Sequence, residues 1–179
     1  MPRLFTGLEI PQDVGFALSL KRGGLGKSRW IDPPNYHLTL RYIGDVDYHQ
    51  ANEVADCLDQ LRVEPPFGVT VNHLGVFGGN RPRALYAGLE PCSELVDLHE
   101  VHQRALQKVG LKPDGRKFTP HITLARLNGV GAGAVAQHIE RAGIFYPLTF
   151  TVRHFVLYSA RDSIGGGPYL VEERYPLAA

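Results

Sequence analysis

Two tetrapeptides hold the side chains of this chain that are best suited to chemistry: His37-Leu38-Thr39-Leu40 and His121-Ile122-Thr123-Leu124. Each alternates a polar residue with an aliphatic one. On a strand, that alternation sends His and Thr to one face and both aliphatics to the other. One His-x-Thr is commonplace on a half-buried strand whose polar face meets water. A second, 84 positions later in a chain of 179 residues, points to an internal duplication that brings two imidazoles to one site. Two histidines in one cleft are the minimum set for general acid–base chemistry near neutral pH, one taking a proton while the other gives one. Thr39 and Thr123, on the same faces, add hydroxyl donors beside them.

The repeat continues past the tetrapeptides. Thr70 to Phe77 aligns with Thr151 to Tyr158 at an offset of 81, with Thr, Val and His identical. A helix-patterned stretch lies between each histidine segment and its following strand, so the unit reads strand, helix, strand, written twice. Strands are expected over 3–9, 30–32, 35–42, 67–77, 83–89, 121–127, 148–159 and 168–175. Helices are expected over 11–22, 48–62, 94–109 and 131–142. Pro11 suits a first helical turn, and Gly110 stops the third helix. The fold class is α+β: antiparallel sheets covered by helices, in two similar lobes. Residues 1–179 form one unit, with no linker composition anywhere.

A formal charge of +1 gives no general basic character and implies no broad duplex-binding surface. Basic residues still gather in or beside the motifs: Arg41, Arg81, Arg83, Arg116, Lys117, Arg126 and Arg161. Arg126 alternates away from His121 in a regular strand and reaches the histidine face only if a bulge re-aims it. Cys57 and Cys92 supply neither a disulfide framework nor a zinc cage. His99 and His102 are spaced as a conceivable metal pair on a helix, without a cysteine or carboxylate in ligand spacing beside them. They, with His49, His73, His138 and His154, read as structural; of these, the repeat-related His73 and His154 fall nearest the site. No metal and no cofactor are expected. The N-terminus has no apolar signal core and no stretch reaches the length of a membrane span, so a reducing cytoplasm fits, with a monomer and no obligate protein partner. Gly165-Gly166-Gly167 lacks the lysine-and-hydroxyl ending of a nucleotide loop and reads as a hairpin at the cleft mouth.

The string Trp30-Ile31-Asp32-Pro33-Pro34-Asn35-Tyr36-His37-Leu38-Thr39-Leu40-Arg41-Tyr42-Ile43-Gly44 resembles the first signature of the 2H phosphoesterase superfamily, in the branch of RNA 2′,3′-cyclic phosphodiesterases, or 2′-5′ RNA ligases. Thr119-Pro120-His121-Ile122-Thr123-Leu124-Ala125-Arg126 resembles the second. Arg3-Leu4-Phe5, Arg81 to Gly88 and Gly167-Pro168-Tyr169 also fit that branch, so the likeness spans nearly the whole chain in order. Tyr42 stands where phenylalanine is more usual, a small change at a packing position.

The resemblance implies a bilobal form with an open cleft, and hydrolysis of RNA 2′,3′-cyclic phosphate ends to 2′-phosphates. Such a reaction deprotonates an attacking water, protonates the departing ribose oxygen and offsets charge on the phosphoryl oxygens. With the 3′ oxygen leaving, His37 is the proton donor and His121 the acceptor. Thr39 and Thr123 donate to the phosphoryl oxygens, and the resemblance recommends Arg126 as a further phosphate contact. Phe5, Tyr36 and Tyr86 are candidates to stack on a base, with a core position as the commoner role for each. Ligation of 2′-5′ RNA is the same chemistry reversed. Two other functions fit the same residues: a phosphodiesterase for a small cyclic nucleotide or a 2′-5′ oligonucleotide, and an RNA-end-binding module without turnover. Binding alone does not call for two imidazoles, which favours an enzyme.

Overall fold

Alternating segments pair as strands, and the helix-periodic segments pack on the face that carries the strands' aliphatic residues. The computed structural model describes residues 1–160 and 166–178; Arg161 and the first glycine of the 165–167 run lie outside them. Along the chain come β1 (Arg3–Glu9), α1 (Gln12–Ser19), β2 (Arg29–Trp30), a 3-10 turn (Pro33–Asn35), β3 (His37–Asp45), α2 (Tyr48–Asp59), β4 (Phe67–Phe77) and β5 (Ala84–Leu89). Then follow α3 (Ser93–Lys108), β6 (His121–Arg126), α4 (Ala132–Arg141), β7 (Leu148–Val152), β8 (His154–Ser159) and β9 (Leu170–Pro176).

The strands are ordered β7-β4-β5-β6-β3-β1-β8-β9, with β2 also beside β6, and the pairings are antiparallel. This is the α+β class expected. The sheets of the two halves meet edge to edge in one nine-stranded sheet. Their seam is narrow: β3 and β6 touch through the single pair Leu38 opposite Ile122. Further along, β6 turns to β2, with Trp30 opposite Ala125 and Arg29 opposite Arg126. The central histidine strands therefore diverge on either side of one bridge.

The segment 148–159, expected as one strand, divides at Arg153. Its first part pairs with β4 and its second with β1, in opposite halves of the sheet. One straight strand cannot serve both edges, so the chain must leave the ladder between them.

Leu38, Leu40, Ile122 and Leu124 are all buried in the main core, against Val14 and Leu18 of α1, Val54 and Leu58 of α2, and Leu95, Leu98 and Leu106 of α3. Each such aliphatic contributes about 1.5–3 kcal/mol by leaving water. Their burial pins the other half of each tetrapeptide to the uncovered face. Asp47 caps α2 by accepting from the backbone N–H of Gln50. Among the described residues, no helix is long and apolar enough to cross a membrane.

Candidate active site

His37 and His121 open β3 and β6 at the seam, and the two are held alike. The Nδ1–H of His37 donates to the carbonyl of Asn35 at 2.9 Å, and that of His121 to the carbonyl of Thr119 at 2.7 Å. In each case the acceptor is the carbonyl two residues upstream, at the proline-rich approach to the strand. That bond fixes the tautomer and leaves Nε2 to act as base, or as acid once protonated. Burial is the main force lowering both imidazole pKa values. It takes His37 to about 4, against the partial support of the Asn35 carbonyl, and the charges of His121 and Arg126 add to it. His121 is lowered by burial and by Arg126. In the free protein at neutral pH, both rings are neutral.

Thr39 and Thr123 lie on the same faces as their histidines, half-buried, and no hydrogen bond engages either hydroxyl among the described residues. Arg126 joins them through a bulge. Leu85 pairs with Ala125 and Tyr86 with Thr123, so Leu124 is an extra residue in β6 and its carbonyl accepts instead from Ile31. Leu124 and Ala125 are consecutively buried, which returns Arg126 to the histidine face, where its charge bears on both imidazoles. β3 carries the same device: Gly7 pairs with Thr39 and Thr6 with Arg41, leaving Leu40 extra, its carbonyl accepting from His99 Nδ1.

Each histidine leans on aromatic rings. His37 has Phe5 at 5.0 Å, Tyr158 at 5.7 Å and Tyr169 at 4.7 Å between ring centroids. His121 has Phe77 at 4.8 Å and Tyr86 at 5.5 Å. Phe5 stacks on Tyr158 as Tyr86 stacks on Phe77. Gly75 makes room for Tyr86, since a Cβ there would come within 2.4 Å of its ring. Beside His37 lies a pocket of about 470 Å³ lined by Glu9, Asn35, Tyr158 and Tyr169 among others. Glu9 sits opposite His37 in the ladder and is gripped by Arg174 at 2.8 and 2.9 Å and by His154 at 2.7 Å. The Arg174 bond chiefly holds its carboxyl below the usual range.

Two of the three stacking expectations need correction. Phe5 and Tyr36 are only 5% and 4% exposed, which leaves them little surface to offer a base, whereas Tyr86 is partly exposed and stacked on Phe77. Arg41 is buried, and its guanidinium donates to the carbonyls of Tyr42 and Lys112. Arg116 is bound to Asp114. His99 stacks flat on Phe118, and His102 is fully buried against Phe155 with its Nδ1 on the Leu98 carbonyl. Packing and a carbonyl partner thus account for each ring. The described residues include no group of three potential metal ligands. The described end of the glycine run does reach the site: a Cβ on Gly167 would strike the side chain of Asn35, and Tyr169 follows against His37. Glu9 lies outside the sequence motifs, and Asn35, Phe77, Tyr158 and Tyr169 lie within them without standing out as site residues. The 81-residue offset was the available signal, since it relates Phe77 to Tyr158 and Phe5 to Tyr86.

Relatives share this arrangement of strands. A crystal structure of a Thermus thermophilus protein superposes with a TM-score of 0.80 at 23% identity, covering 98% of this chain and 97% of that one. Escherichia coli LigT, crystallised with 3′-AMP, gives 0.78 at 23% identity over the full length of both. At such identity the likeness is one of fold. In sequence, a Thermotoga maritima protein named RNA 2′,3′-cyclic phosphodiesterase is 32% identical, over 94% of this chain and 92% of its own. An Aquifex aeolicus protein of the same name is 36% identical over 66% of this chain, and the match spans 63% of that relative's length. The match to an Aeropyrum pernix relative spans 57% of its length. The model of the 2′-5′ RNA ligase superfamily matches residues 29–163, a span that takes in both histidine strands, and the chain belongs to that superfamily.

Proposed function

We propose that this chain is an RNA 2′,3′-cyclic phosphodiesterase that opens the cyclic phosphate to a 2′-phosphate. The single observation behind this reading is the matched anchoring of His37 and His121, each held at Nδ1 by the carbonyl two residues upstream, with Nε2 left for proton transfer. Water attacks phosphorus as His121 Nε2 takes its proton; the bond from phosphorus to the 3′ oxygen breaks as His37 Nε2 protonates that oxygen. Thr39 and Thr123 donate to the phosphoryl oxygens, and Arg126 offsets their charge. Solvent then returns the proton from His121 and restores the one on His37. Buried neutral imidazoles suit this only when an anion is present: the bound phosphate favours the charged ring and supplies the pKa rise that His37 needs as acid. The same steps, with a ribose 5′-hydroxyl attacking in place of water, give 2′-5′ ligation, and their reversal cleaves the 2′-5′ bond.

Residues 1–179 act together as one bilobal unit in this reading, since each half of the sheet supplies one histidine and combines strands from the N-terminal and C-terminal parts of the chain. The enzyme works as a monomer in the cytoplasm, with Cys57 and Cys92 as free thiols, and needs neither metal nor cofactor. The test is incubation of the intact chain with 2′,3′-cyclic CMP in EDTA, followed by phosphorus NMR. Conversion of the cyclic resonance to that of a monoester is expected. A persistent cyclic resonance overturns the reading, and turnover only after a divalent ion is restored overturns its metal-free form.

A further inference from the structure

The near-neutral total charge conceals a strong asymmetry. Residues 14–31, 65–89 and 115–139 contain nine of the nineteen basic residues and none of the acidic ones. The strand ladders bring parts of all three segments to one place. Arg29 stands opposite Arg126 in β2 and β6, and Ala84 stands opposite Arg126 on its other side. The backbone of Arg83 accepts from Leu127, and the turn from Gly78 to Arg83 carries Arg81 beyond it.

The histidine face thus has one end beside Arg126, its first mouth, and another around Tyr42 on β3, its second mouth, where charge is handled differently. There Tyr42 lies within the electrostatic reach of Arg3 and Arg116. Both guanidiniums are held by carboxylates, Arg3 by Asp45 at 3.1 Å and Arg116 by Asp114 at 3.0 Å. At the first mouth, by contrast, no ion pair engages Arg81, Arg83 or Arg126 among the described residues. Arg81 and Arg83 are exposed and lie outside the proposed proton-transfer and phosphate-holding groups.

We propose that the substrate is a single-stranded RNA of several nucleotides, and that its chain leaves the site over the first mouth, past Arg126 and onto Arg83 and Arg81. A 2′,3′-cyclic phosphate ends an RNA at its 3′ side, so the remaining strand lies 5′ of the reacting group and brings one negative charge per nucleotide. A polyanion follows unneutralised cations, and contacts to its phosphates add affinity without reading sequence. The half-exposed Tyr86, beside His121 on the route, offers its ring to a base. A mononucleotide uses only the catalytic cleft; a longer strand uses the mouth as well.

This inference rests on the cyclic-phosphate reading, and its test separates the two. The double variant Arg81→Glu/Arg83→Glu and the control Lys117→Glu, an exposed lysine next in the chain to Arg116, are assayed beside the wild type. The substrates are 2′,3′-cyclic CMP and a cyclic-ended oligoribonucleotide of about eight nucleotides, a length within the usual single-strand site size. Binding of the same oligonucleotide, labelled at its 5′ end, is followed by fluorescence anisotropy at low and high salt. The double variant should hydrolyse cyclic CMP within about twofold of wild type, which also reports an intact fold. Its kcat/KM for the oligonucleotide should fall about tenfold or more, and the salt dependence of binding should lose about the slope of two phosphate contacts. Equal effects on both substrates, no effect on either, or a length-dependent loss in Lys117→Glu instead would overturn the exit route. Failure of the wild type to turn over either substrate would refute the cyclic-phosphate reading, and the anisotropy titration would still decide which mouth carries RNA.

Discussion

Arg126 on β6 and Tyr42 on β3 occupy matching positions, each five residues past its histidine and each returned to the histidine face by an extra leucine in the strand. One half of the sheet thus sets a guanidinium near the reacting groups and the other a phenol. The pairing of the two halves is close in the histidines and threonines and breaks at this position. In the proposed reading, a phosphate in the cleft meets Arg126 on one side and Tyr42 on the other.

Beyond the phosphate contact proposed for it, Arg126 acts on the histidines, because its charge lowers both imidazole pKa values. Arg126→Ala should therefore do two things. It should lower kcat about a hundredfold, the scale of losing a donor aimed at developing charge. It should also raise both histidine pKa values and move the kcat/KM optimum to higher pH. Arg126→Lys keeps the charge but loses the fork, so the optimum should stay while part of the rate is lost. Full pH–rate profiles check this; an unmoved optimum in Arg126→Ala would place the guanidinium away from the histidines.

The pH dependence of the wild type follows from the same values. The productive form carries one proton on the histidine pair. With His37 at about 4 and His121 also below the ordinary 6.5, that form is most abundant in the free enzyme on the acid side of 6.5. Above both values the pair is neutral, the acid is missing, and kcat/KM should fall about tenfold per pH unit. Bound phosphate raises both values, so the kcat optimum should lie at higher pH than that of kcat/KM. Steady-state profiles of both constants test this; coincident optima above about pH 7.5 would contradict it.

The bond that breaks follows from the roles of the histidines. With His37 next to the 3′ oxygen, hydrolysis of cyclic CMP should yield the 2′-phosphate almost alone. Thr39→Val and Thr123→Val should slow the reaction without altering the product, since they touch the phosphoryl oxygens and leave the departing oxygen to His37. Phosphorus NMR of the product reads the outcome, and a dominant 3′-phosphate would exchange the two histidine roles.

His102 supplies a stability prediction. It is fully buried, its pKa lowered by burial to about 4, and its Nε2 has no hydrogen-bond partner among the described residues. The folded value lies below the unfolded one of 6.5, so the contribution is complete above 6.5 and is lost as pH falls toward 4. Each such group adds a slope of about 1.4 kcal/mol per pH unit across that window. His37 shares it, so His102→Leu should flatten the slope in urea titrations between pH 6.5 and 4 by one proton and leave the remainder. An unchanged slope would mean that His102 titrates alike in both states.

The histidine strands were readable because their signal is local: alternation over four residues fixes which side chains share a face. The helices were readable for the same reason, from stripes such as Leu95, Leu98 and Leu106. The bulges were not, since Leu124-Ala125 is equally apolar whether or not the strand skips a residue, and the partner strand decides. Arg126 therefore entered through resemblance, while its placement needed the ladder. The rings beside the histidines were hidden for another reason. Tyr158 reaches His37 only because β8 pairs with β1, a contact between distant parts of the chain. The break at Arg153 that permits this pairing carries no turn residue to announce it.

The most direct test of the central claim is a double-mutant cycle on one substrate. Turnover of a cyclic-ended oligoribonucleotide is measured for wild type, His37→Ala, His121→Ala and the double variant, each verified as folded. Positioned proton transfer contributes about 10² to 10⁴ in rate per group, so each single variant should lose at least the lower figure. Because the two imidazoles act in one step, the double variant should be little slower than the worse single one. A single variant with near-full activity, or losses that simply multiply, would contradict a reaction run by these two histidines together.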